Sequence, residues 1–528
     1  MPRVVSVFLP TWPIDRLNRE MRHSARPAEG ETDGKGPGTE KTAHPGLPDA
    51  PLILTSRTGS SRVVFAANVA AQALGLRIGM AATKAQAMVA DLVVKNADPA
   101  GDASGLEKLA IWALQRYSPI VAVDPPDGLI IEATGAAQLH GGEASMLGDI
   151  LQRLAAAGLN ARVAIADSWG AAHAFARFIA APKAVVPPGA DEQTLLPLPI
   201  TALRLPPDMI VGLRRLGFER VGDLIDKPRG PLALRFGPEL LRRLDQARGR
   251  LSEPIDPLRP EGLIEVRRNF AEPIGAAETL ARYTGKLVVA LCQILEAKGL
   301  GARRLDLLFY RVDGRTEAIR VGTATPVRNL KNLTRLLCDK IETIDAGFGV
   351  EIMSLCAPLA EPFETRQIRI SLIAEDTETD ISSLIDTLAN RVGEGRLYRF
   401  APVASDVPER SVCRVAPAAP PTGRDWPKQW PRPSRLLATP EQIETVALLP
   451  DHPPVSFSWR GIRRRVKCAD GPERVFGEWW KRDAEMATVR DYFRVEDDAG
   501  ERFWIYRAGD GSDTATGSHR WFLHGIFG

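Results

Sequence analysis

The chain has 528 residues, a formal net charge of +3, 44% hydrophobic residues and 25% charged residues. At about 150 residues per domain, this length predicts three to four domains. The small net charge does not by itself indicate nucleic-acid binding, so any basic surface that binds nucleic acid has to be local. No apolar run is long enough to cross a bilayer, and the N-terminus lacks a signal-peptide cleavage region, so we expect a cytoplasmic protein without a membrane partner.

Residues 1–190 have the pattern of an α+β block with an insertion. Residues 22–50 are rich in Gly, Pro, Glu, Lys and Thr and have almost no large apolar side chains, which predicts a disordered segment. The rest alternates short β-type runs with helical patterns. Two strand candidates, 120–123 and 128–133, flank the segment Asp124-Pro125-Pro126-Asp127-Gly128.

Residues 191–255 are predicted to be mostly helical. The segment from Leu213 to Leu224 follows the helix-hairpin-helix pattern, with Gly217 and Gly222 at the tight turn. Such a hairpin presents backbone N–H groups to a DNA phosphate, so both glycines are candidate DNA-binding residues. The alternative is an ordinary αα-hairpin.

Residues 262–360 show the order β-α-β-β-α-β, which is a split βαβ unit. Basic side chains cluster within it, and a cluster of this kind suits contacts to the DNA backbone. The alternative is that they are solvated side chains on an exposed sheet face. The candidate DNA-binding residues of this unit are Arg303, Arg304, Arg320, Arg328 and Lys331.

Residues 361–415 are predicted to form a clamp-motif and α/β extension. Gln367-Ile368-Arg369-Ile370-Ser371-Leu372 matches the bacterial sliding-clamp pattern of Gln, two variable residues, an aliphatic, one variable residue and Leu. An extended peptide of this kind places Gln367, Ile370 and Leu372 into clamp pockets. The alternative is a plain β-strand, because apolar and polar residues alternate here.

The last part of the chain is predicted to be a separate module. A Pro-rich linker at 416–433 precedes it, and seven of the ten tryptophans lie beyond residue 425. Strand candidates at 455–459, 464–468, 492–495 and 502–506 predict a small antiparallel β domain within 434–528.

In chain order, these blocks resemble the palm and fingers, thumb and little finger of Y-family DNA polymerases over roughly residues 1–360. The opening Phe8 to Leu17 and the tail segments Gly471-Pro472-Glu473-Arg474, Glu478-Trp479-Trp480, Arg490-Asp491-Tyr492 and Trp521 to Phe527 resemble the ImuB family. The resemblance implies a catalytically inactive, polymerase-like adaptor of SOS-induced error-prone translesion synthesis. Its implied partners are DNA, the sliding clamp, an error-prone C-family DNA polymerase and ImuA.

The residues of the palm-like motif argue against catalysis. Two-metal phosphoryl transfer needs several carboxylates around two Mg²⁺ ions. Asp127 matches the retained aspartate of the polymerase motif, but Gly128 stands where the resemblance places a glutamate. Val7 and Leu9 lie near the positions where the first strand would supply ligands. We therefore expect no catalytic residue, with Asp127 as a vestige, and no bound metal or cofactor.

Two alternatives stay open. A divergent, catalytically active Y-family DNA polymerase would use Asp124, Asp127 and Glu132 in a shifted register. A DNA-structure-binding protein without a clamp partner would need neither these carboxylates nor the clamp peptide.

Overall fold

The structure is a computed structural model, and it describes residues 3–24, 50–59, 61–363, 381–420, 432–447, 452–478, 480–481, 485 and 488–528. Most of the predicted insertion at 22–50 and the clamp residues Gln367, Ile370 and Leu372 lie outside the described residues. The chain divides into two compact units, Met1–Arg396 and Leu397–Gly528. The finer domain boundaries stay a prediction. Among the described helices, none combines the length and apolar character needed to cross a membrane.

The first block contains a five-stranded sheet in the order β5-β6-β1-β7-β8 and a three-stranded sheet in the order β3-β2-β4. Its elements are β1 (Val4–Phe8), α1 (Trp12–Ser24), β2 (Leu52–Thr58), β3 (Ser61–Ala67), α2 (Val69–Ala73), α3 (Ala82–Met88), β4 (Val93–Asn96), α4 (Pro99–Arg116), β5 (Val121–Asp124), β6 (Gly128–Glu132), α5 (Ala136–Leu139), α6 (Glu143–Ala156), β7 (Arg162–Ala166), α7 (Trp169–Phe178) and β8 (Lys183–Val185).

Strand β1 is the centre of the palm-like sheet and pairs antiparallel with both β6 and β7. Its residues are apolar almost throughout, as expected for a strand that is covered on both faces. One face packs against α4 and α6, and the other packs against α7 and the helices that follow. The sequence patterns did not predict α4, because the Gly101 and Gly105 positions weaken its helix propensity.

The second block is the helical thumb-like part. It consists of α8 (Asp191–Leu195), α9 (Pro207–Arg215), α10 (Gly222–Ile225), α11 (Arg229–Phe236) and α12 (Pro238–Ala247). Helices α9 and α10 flank a tight turn in which Gly217 has a φ of +83°, a conformation that favours glycine. The apolar residues of these helices join the core on the α7 side of the palm-like sheet.

The third block is an antiparallel sheet in the order β11-β10-β12-β9. Its elements are β9 (Ile264–Ile274), α13 (Ala277–Ala297), β10 (Leu300–Arg311), β11 (Thr316–Val327), α14 (Leu330–Cys338), β12 (Val350–Pro362) and α15 (Ser382–Val392). Helices α13 and α14 pack on one face, which gives the predicted split βαβ unit. The opposite face contributes Leu308 to the core of the palm-like part.

The second unit contains a two-stranded sheet and a closed six-stranded barrel. Its strands are β13 (Arg399–Pro402), β14 (Val412–Val415), β15 (Arg435–Val446), β16 (Ser456–Trp459), β17 (Ile462–Phe476), β18 (Val489–Asp497), β19 (Arg502–Ala508) and β20 (Trp521–Ile526). The barrel closes because β15 pairs with both β16 and β20. Sequence patterns predicted only β16 to β19. The predicted fold class, α+β blocks of polymerase type followed by a β-rich module, is confirmed.

Candidate functional site

The site is built at one end of the palm-like sheet, where β5 turns into β6. Asp124 ends β5, Asp127 lies in the turn and Gly128 begins β6. Helix α7 crosses the same end and carries His173 and Arg177 one turn apart. Residues four apart on a helix share a face, so both side chains reach the two aspartates.

Arg177 connects the two aspartates of the turn. Its Nη2 donates to Oδ1 of Asp127 at 2.6 Å, and its Nη1 lies 3.5 Å from Oδ2 of Asp124. The guanidinium also lies over the ring of Phe8, with Cζ 4.6 Å from the ring centroid. A side-chain cation therefore occupies the space between the only two carboxylates of the β5–β6 turn.

His173 and Asp124 form a buried pair beside Arg177. The ring Nδ1 of His173 lies 2.6 Å from Oδ2 of Asp124. Burial opposes the charged form of Asp124, but the hydrogen bond from His173 and the nearby Arg177 and Arg204 outweigh it, so the pKa of Asp124 is lowered. Burial lowers the pKa of His173, although its bond to Asp124 acts in the other direction. A neutral imidazole that donates from Nδ1 to an ionised Asp124 satisfies both groups.

Gly128 leaves little room for a side chain. A Cβ at this position would lie 3.0 Å from the carbonyl oxygen of Val7 and 3.2 Å from Nη2 of Arg177. These separations are tighter than ordinary van der Waals contacts. A glutamate here would therefore displace Arg177. A carboxylate at position 128 and the guanidinium of Arg177 cannot both occupy this space.

The first strand presents Phe8 to this site. Phe8 is paired with Gly128 across the sheet and contacts Arg177. Val7 and Leu9, which the sequence placed near the ligand positions, are buried in the core on the α4 and α6 side. The side chains of Val7 and Leu9 point away from the site because alternate residues of a strand point to opposite faces, although the carbonyl oxygen of Val7 lies beside Gly128.

Glu132 does not join the two aspartates. It ends β6, four residues beyond Gly128, or about 13 Å along an extended strand. Its carboxylate accepts hydrogen bonds from the backbone N–H, at 3.1 Å, and the hydroxyl of Thr134. The shifted-register carboxylate set of Asp124, Asp127 and Glu132 is therefore not assembled.

The residues at this site do not fit a two-metal centre. Hard divalent cations prefer several carboxylate oxygens, whereas this site offers two aspartates that already share Arg177, and Asp124 also pairs with His173. Within the described part of the chain, no group of three or more His, Cys, Asp or Glu side chains has the arrangement to hold a metal ion.

Three predicted DNA-binding arginines have partners within the chain. Arg303 donates to the carbonyl of Thr323, and its Nε lies 3.3 Å from Glu361. Arg304 donates to the carbonyl of Gln115 on α4. Arg320 is paired with an aspartate on the neighbouring strand, Asp306. These contacts give the three guanidinium groups a structural role, and their role in DNA binding stays a prediction.

Arg328 and Lys331 are placed differently. Arg328 lies over the ring of Phe363 at 4.2 Å, and Lys331 is exposed on the first turn of α14. Both are close in sequence and lie where β11 leads into α14. They are the members of the predicted set for which no carboxylate partner is found among the described residues.

The hairpin between α9 and α10 uses its own backbone N–H groups internally. Asp223 accepts from the N–H groups of Glu219 and Arg220 at 3.0 and 2.8 Å. The other four amides between 217 and 222 donate to backbone carbonyls, those of Arg214, Leu213, Leu198 and Leu196. The hairpin therefore offers no unbonded amide to a phosphate, and the DNA-binding role of Gly217 and Gly222 stays a prediction.

Sequence reasoning missed the residues that fill the site, Arg177 and His173. The available signal was the helical spacing of Trp169, His173 and Arg177, which places all three on one face of α7. That spacing does not reveal which strand end the face covers. Only the packing of α7 against the palm-like sheet brings it to Asp124 and Asp127.

The palm-like sheet, the thumb-like helices, the split βαβ unit and the altered carboxylate turn define a protein of the Y-family polymerase-like class. A family model described as the impB/mucB/samB family matches residues 38–177. A second model, described as a domain of unknown function (DUF6504), matches residues 439–527, which span most of the barrel.

Comparison with related sequences assigns the chain to a particular family within this class. Protein ImuB from two strains of Caulobacter vibrioides is 44% identical over 464 residues, which cover 86% of this chain and 100% of the relative. DNA polymerase IV of Dehalococcoides mccartyi is 28% identical over 220 residues, covering 41% of this chain and 56% of that protein. The chain belongs to the ImuB family, and it is a protein related to translesion synthesis.

Solved structures that match include DinB from Sulfolobus solfataricus, with a TM-score of 0.36 and 15% identity, and the insertion ternary complex of Dbh DNA polymerase, with a TM-score of 0.37 and 15% identity. Each match covers 67% of this chain and 98% of the other chain.

Proposed function

We propose that this protein is a non-catalytic, polymerase-like DNA-binding adaptor in SOS-induced error-prone translesion synthesis. In this proposal it links an error-prone C-family DNA polymerase and ImuA to the sliding clamp. The observation that carries the non-catalytic part is the position of Arg177, which lies between Asp124 and Asp127. Divalent cations would have to stand in that space for nucleotide joining.

Electrostatics supports this reading. A guanidinium and a divalent cation about 4 Å apart repel each other by roughly 8 kcal/mol at an effective dielectric constant of 20. The two aspartates supply two negative charges, and Arg177 already neutralises one of them. His173 is a hydrogen-bond donor to Asp124 and adds no anionic oxygen. The remaining charge is too small to hold two Mg²⁺ ions against a resident cation.

A primer-extension assay tests the absence of catalysis. The full chain is incubated with primed template, all four deoxynucleotides and Mg²⁺ or Mn²⁺, and an active Y-family polymerase on the same template serves as the positive control. We expect no template-dependent extension. Template-dependent synthesis that disappears in Asp127→Ala would overturn the proposal and would favour the divergent polymerase.

The clamp link rests on Gln367, Ile370 and Leu372. A pull-down with the bacterial sliding clamp compares the wild-type chain with a variant that carries Gln367→Ala and Leu372→Ala. Arg369→Ala is the matched control, because it changes a variable position between the anchors. We expect the double variant to lose the clamp and the control to retain it. Equal recovery of all three proteins would favour the DNA-structure-binding alternative without a clamp partner.

DNA binding is proposed to use the basic end of the split βαβ unit, where Arg328 is half-buried and Lys331 is exposed. Removing Arg328 and Lys331 together should lower the salt dependence of duplex binding by about 0.9 log unit per lost phosphate contact. Lys108→Ala, an exposed lysine on α4, is the control for a general loss of charge. A salt slope that the double variant leaves unchanged would argue against this surface.

A further inference from the structure

A cleft of about 880 Å³ opens in the first unit beside the palm-like site. Three segments form it: strand β5 with the start of α7, the connection 254–259, and the face of the split βαβ sheet opposite its helices. The volume lies within the range of about 300–1,000 Å³ that is usual for small-molecule sites. Its principal side chains are Trp169, Asp256, Arg259, Arg267 and Tyr310.

Two aromatic rings and two arginines line this cleft. Arg259 and Arg267 lie 5.7 and 5.6 Å from the ring centroid of Tyr310, and Arg259 donates to the Tyr310 hydroxyl at 2.9 Å. Arg204 lies outside the lining, where it pairs with Glu253, and its guanidinium is 5.1 Å from the ring centroid of Trp169. Aromatic rings beside guanidinium groups are the arrangement by which proteins hold nucleobases and phosphates together.

Two polar features indicate that the cleft is built for a ligand rather than left over from packing. The indole N–H of Trp169 is buried and has no hydrogen-bond partner among the described residues. Arg267 is exposed, and the described residues place no carboxylate in an ion pair with it. Asp256 is the acidic side chain of the lining, so the two lining arginines outnumber it.

We propose that this cleft binds one nucleotide, with its base against Trp169 or Tyr310 and its phosphate near Arg259 and Arg267. A nucleotide combines an aromatic face with an anionic group, and this lining is complementary to both. The nucleotide is either an unpaired residue of a DNA strand or a free deoxynucleoside triphosphate. Binding of a nucleotide that belongs to a DNA strand rests on the proposed DNA-binding function, whereas binding of a free deoxynucleoside triphosphate does not.

Neighbouring residues of β9 provide a matched pair of variants. Arg267 faces Tyr310, while Arg268 faces the other side of the sheet and lies over Tyr283. Both side chains are exposed, so their removal should leave the fold intact. Trp169→Ala and Trp169→Phe form a second pair, in which Phe retains a stacking ring.

Binding of a labelled oligothymidylate to the full chain is measured by fluorescence anisotropy. We expect Trp169→Ala to weaken binding by roughly 5- to 100-fold, as the loss of one stacked base predicts, and Trp169→Phe to restore most of it. Arg267→Ala should weaken binding several-fold and lower the salt slope by about 0.7, the value for one phosphate of a single strand, while Arg268→Ala should stay near wild type.

Competition with dTTP separates the two sources. Displacement of the oligomer by dTTP, lost in Arg267→Ala, identifies a free nucleotide, and no displacement identifies a strand nucleotide. Equal effects of Arg267→Ala and Arg268→Ala, or no effect of either, overturn the proposal. If the wild-type chain binds no oligomer, the DNA-binding function fails, and the cleft is then judged by direct titration with dTTP. Absence of dTTP binding in that titration overturns the cleft as well.

Discussion

Asp306 and Arg320 form a two-bond ion pair across neighbouring strands of the split βαβ sheet. Nε and Nη2 of Arg320 each lie 2.6 Å from an oxygen of Asp306, and Asp306 is only 1% exposed. The two residues stand directly opposite each other on β10 and β11. Arg320 therefore balances a buried charge in the fold, whatever contact it makes with DNA.

Arg320→Ala is expected to lower the free energy of unfolding by about 3–5 kcal/mol, because it leaves Asp306 buried without its partner. Chemical denaturation followed by circular dichroism measures this loss. Arg320→Ala combined with Asp306→Ala should recover most of it. A loss below about 1 kcal/mol in the single variant would show that the pair does not stabilise the sheet.

Arg177→Ala is expected to lower the free energy of unfolding by about 2–3 kcal/mol. This is less than for a fully buried pair, because Asp127 is partly exposed and Asp124 keeps His173.

Gly128→Glu alone should gain no Mn²⁺ affinity, since Arg177 occupies the space. Arg177→Ala with Gly128→Glu should gain Mn²⁺ binding in a calorimetric titration. Stoichiometric Mn²⁺ binding by the wild-type chain at this site would contradict the assignment.

Asp191 gives the first unit a defined pH dependence. Burial, followed by the nearby charge of Asp167, raises the pKa of Asp191 from 3.8 to about 6, while Arg3 acts in the opposite direction. The folded state therefore holds this proton more tightly than the unfolded state. Stability from this group is fully present below pH 4 and is lost as the pH rises to about 6.

Asp191→Asn removes this penalty. We expect the variant to be more stable than the wild type at pH 7.5 by on the order of 3 kcal/mol, since the pKa of Asp191 is raised by about two units and one pKa unit corresponds to about 1.4 kcal/mol. At pH 4 the two proteins should differ little. Thermal unfolding at both pH values measures the effect, and a difference that does not change with pH would rule out Asp191 as its source.

Side chains of helix α15 form hydrogen bonds with the backbone of β11, which is an edge strand of the split βαβ sheet. Asp386 accepts from the N–H of Ala324 at 2.7 Å, and Asn390 exchanges two hydrogen bonds with the backbone of Gly322. Asp386→Ala should cost about 1–3 kcal/mol and should speed hydrogen exchange at the Ala324 amide. Leu388→Ala, at an exposed position of the same helix, is the control. Unchanged exchange at Ala324 would show that α15 does not hold this edge.

The split βαβ unit is a part of the fold that sequence patterns predicted. Its six elements follow the predicted order, because each has a strong local period and most of the connections between them are short. The barrel was predicted only in part. Strands β16 to β19 were predicted, but β15 and β20 were missed, and these two close the barrel by pairing over about 80 residues of sequence. No local pattern contains that pairing.

The sequence by itself determined the order of the polymerase-like blocks and the shortage of carboxylates at the β5–β6 turn, because periodicity and residue identity are local properties. Only the tertiary structure decided that Arg177 stands between Asp124 and Asp127, and that Arg320 neutralises a buried aspartate. An ion pair depends on which helix face or strand packs opposite a charge, and that geometry follows from the packing of the whole core.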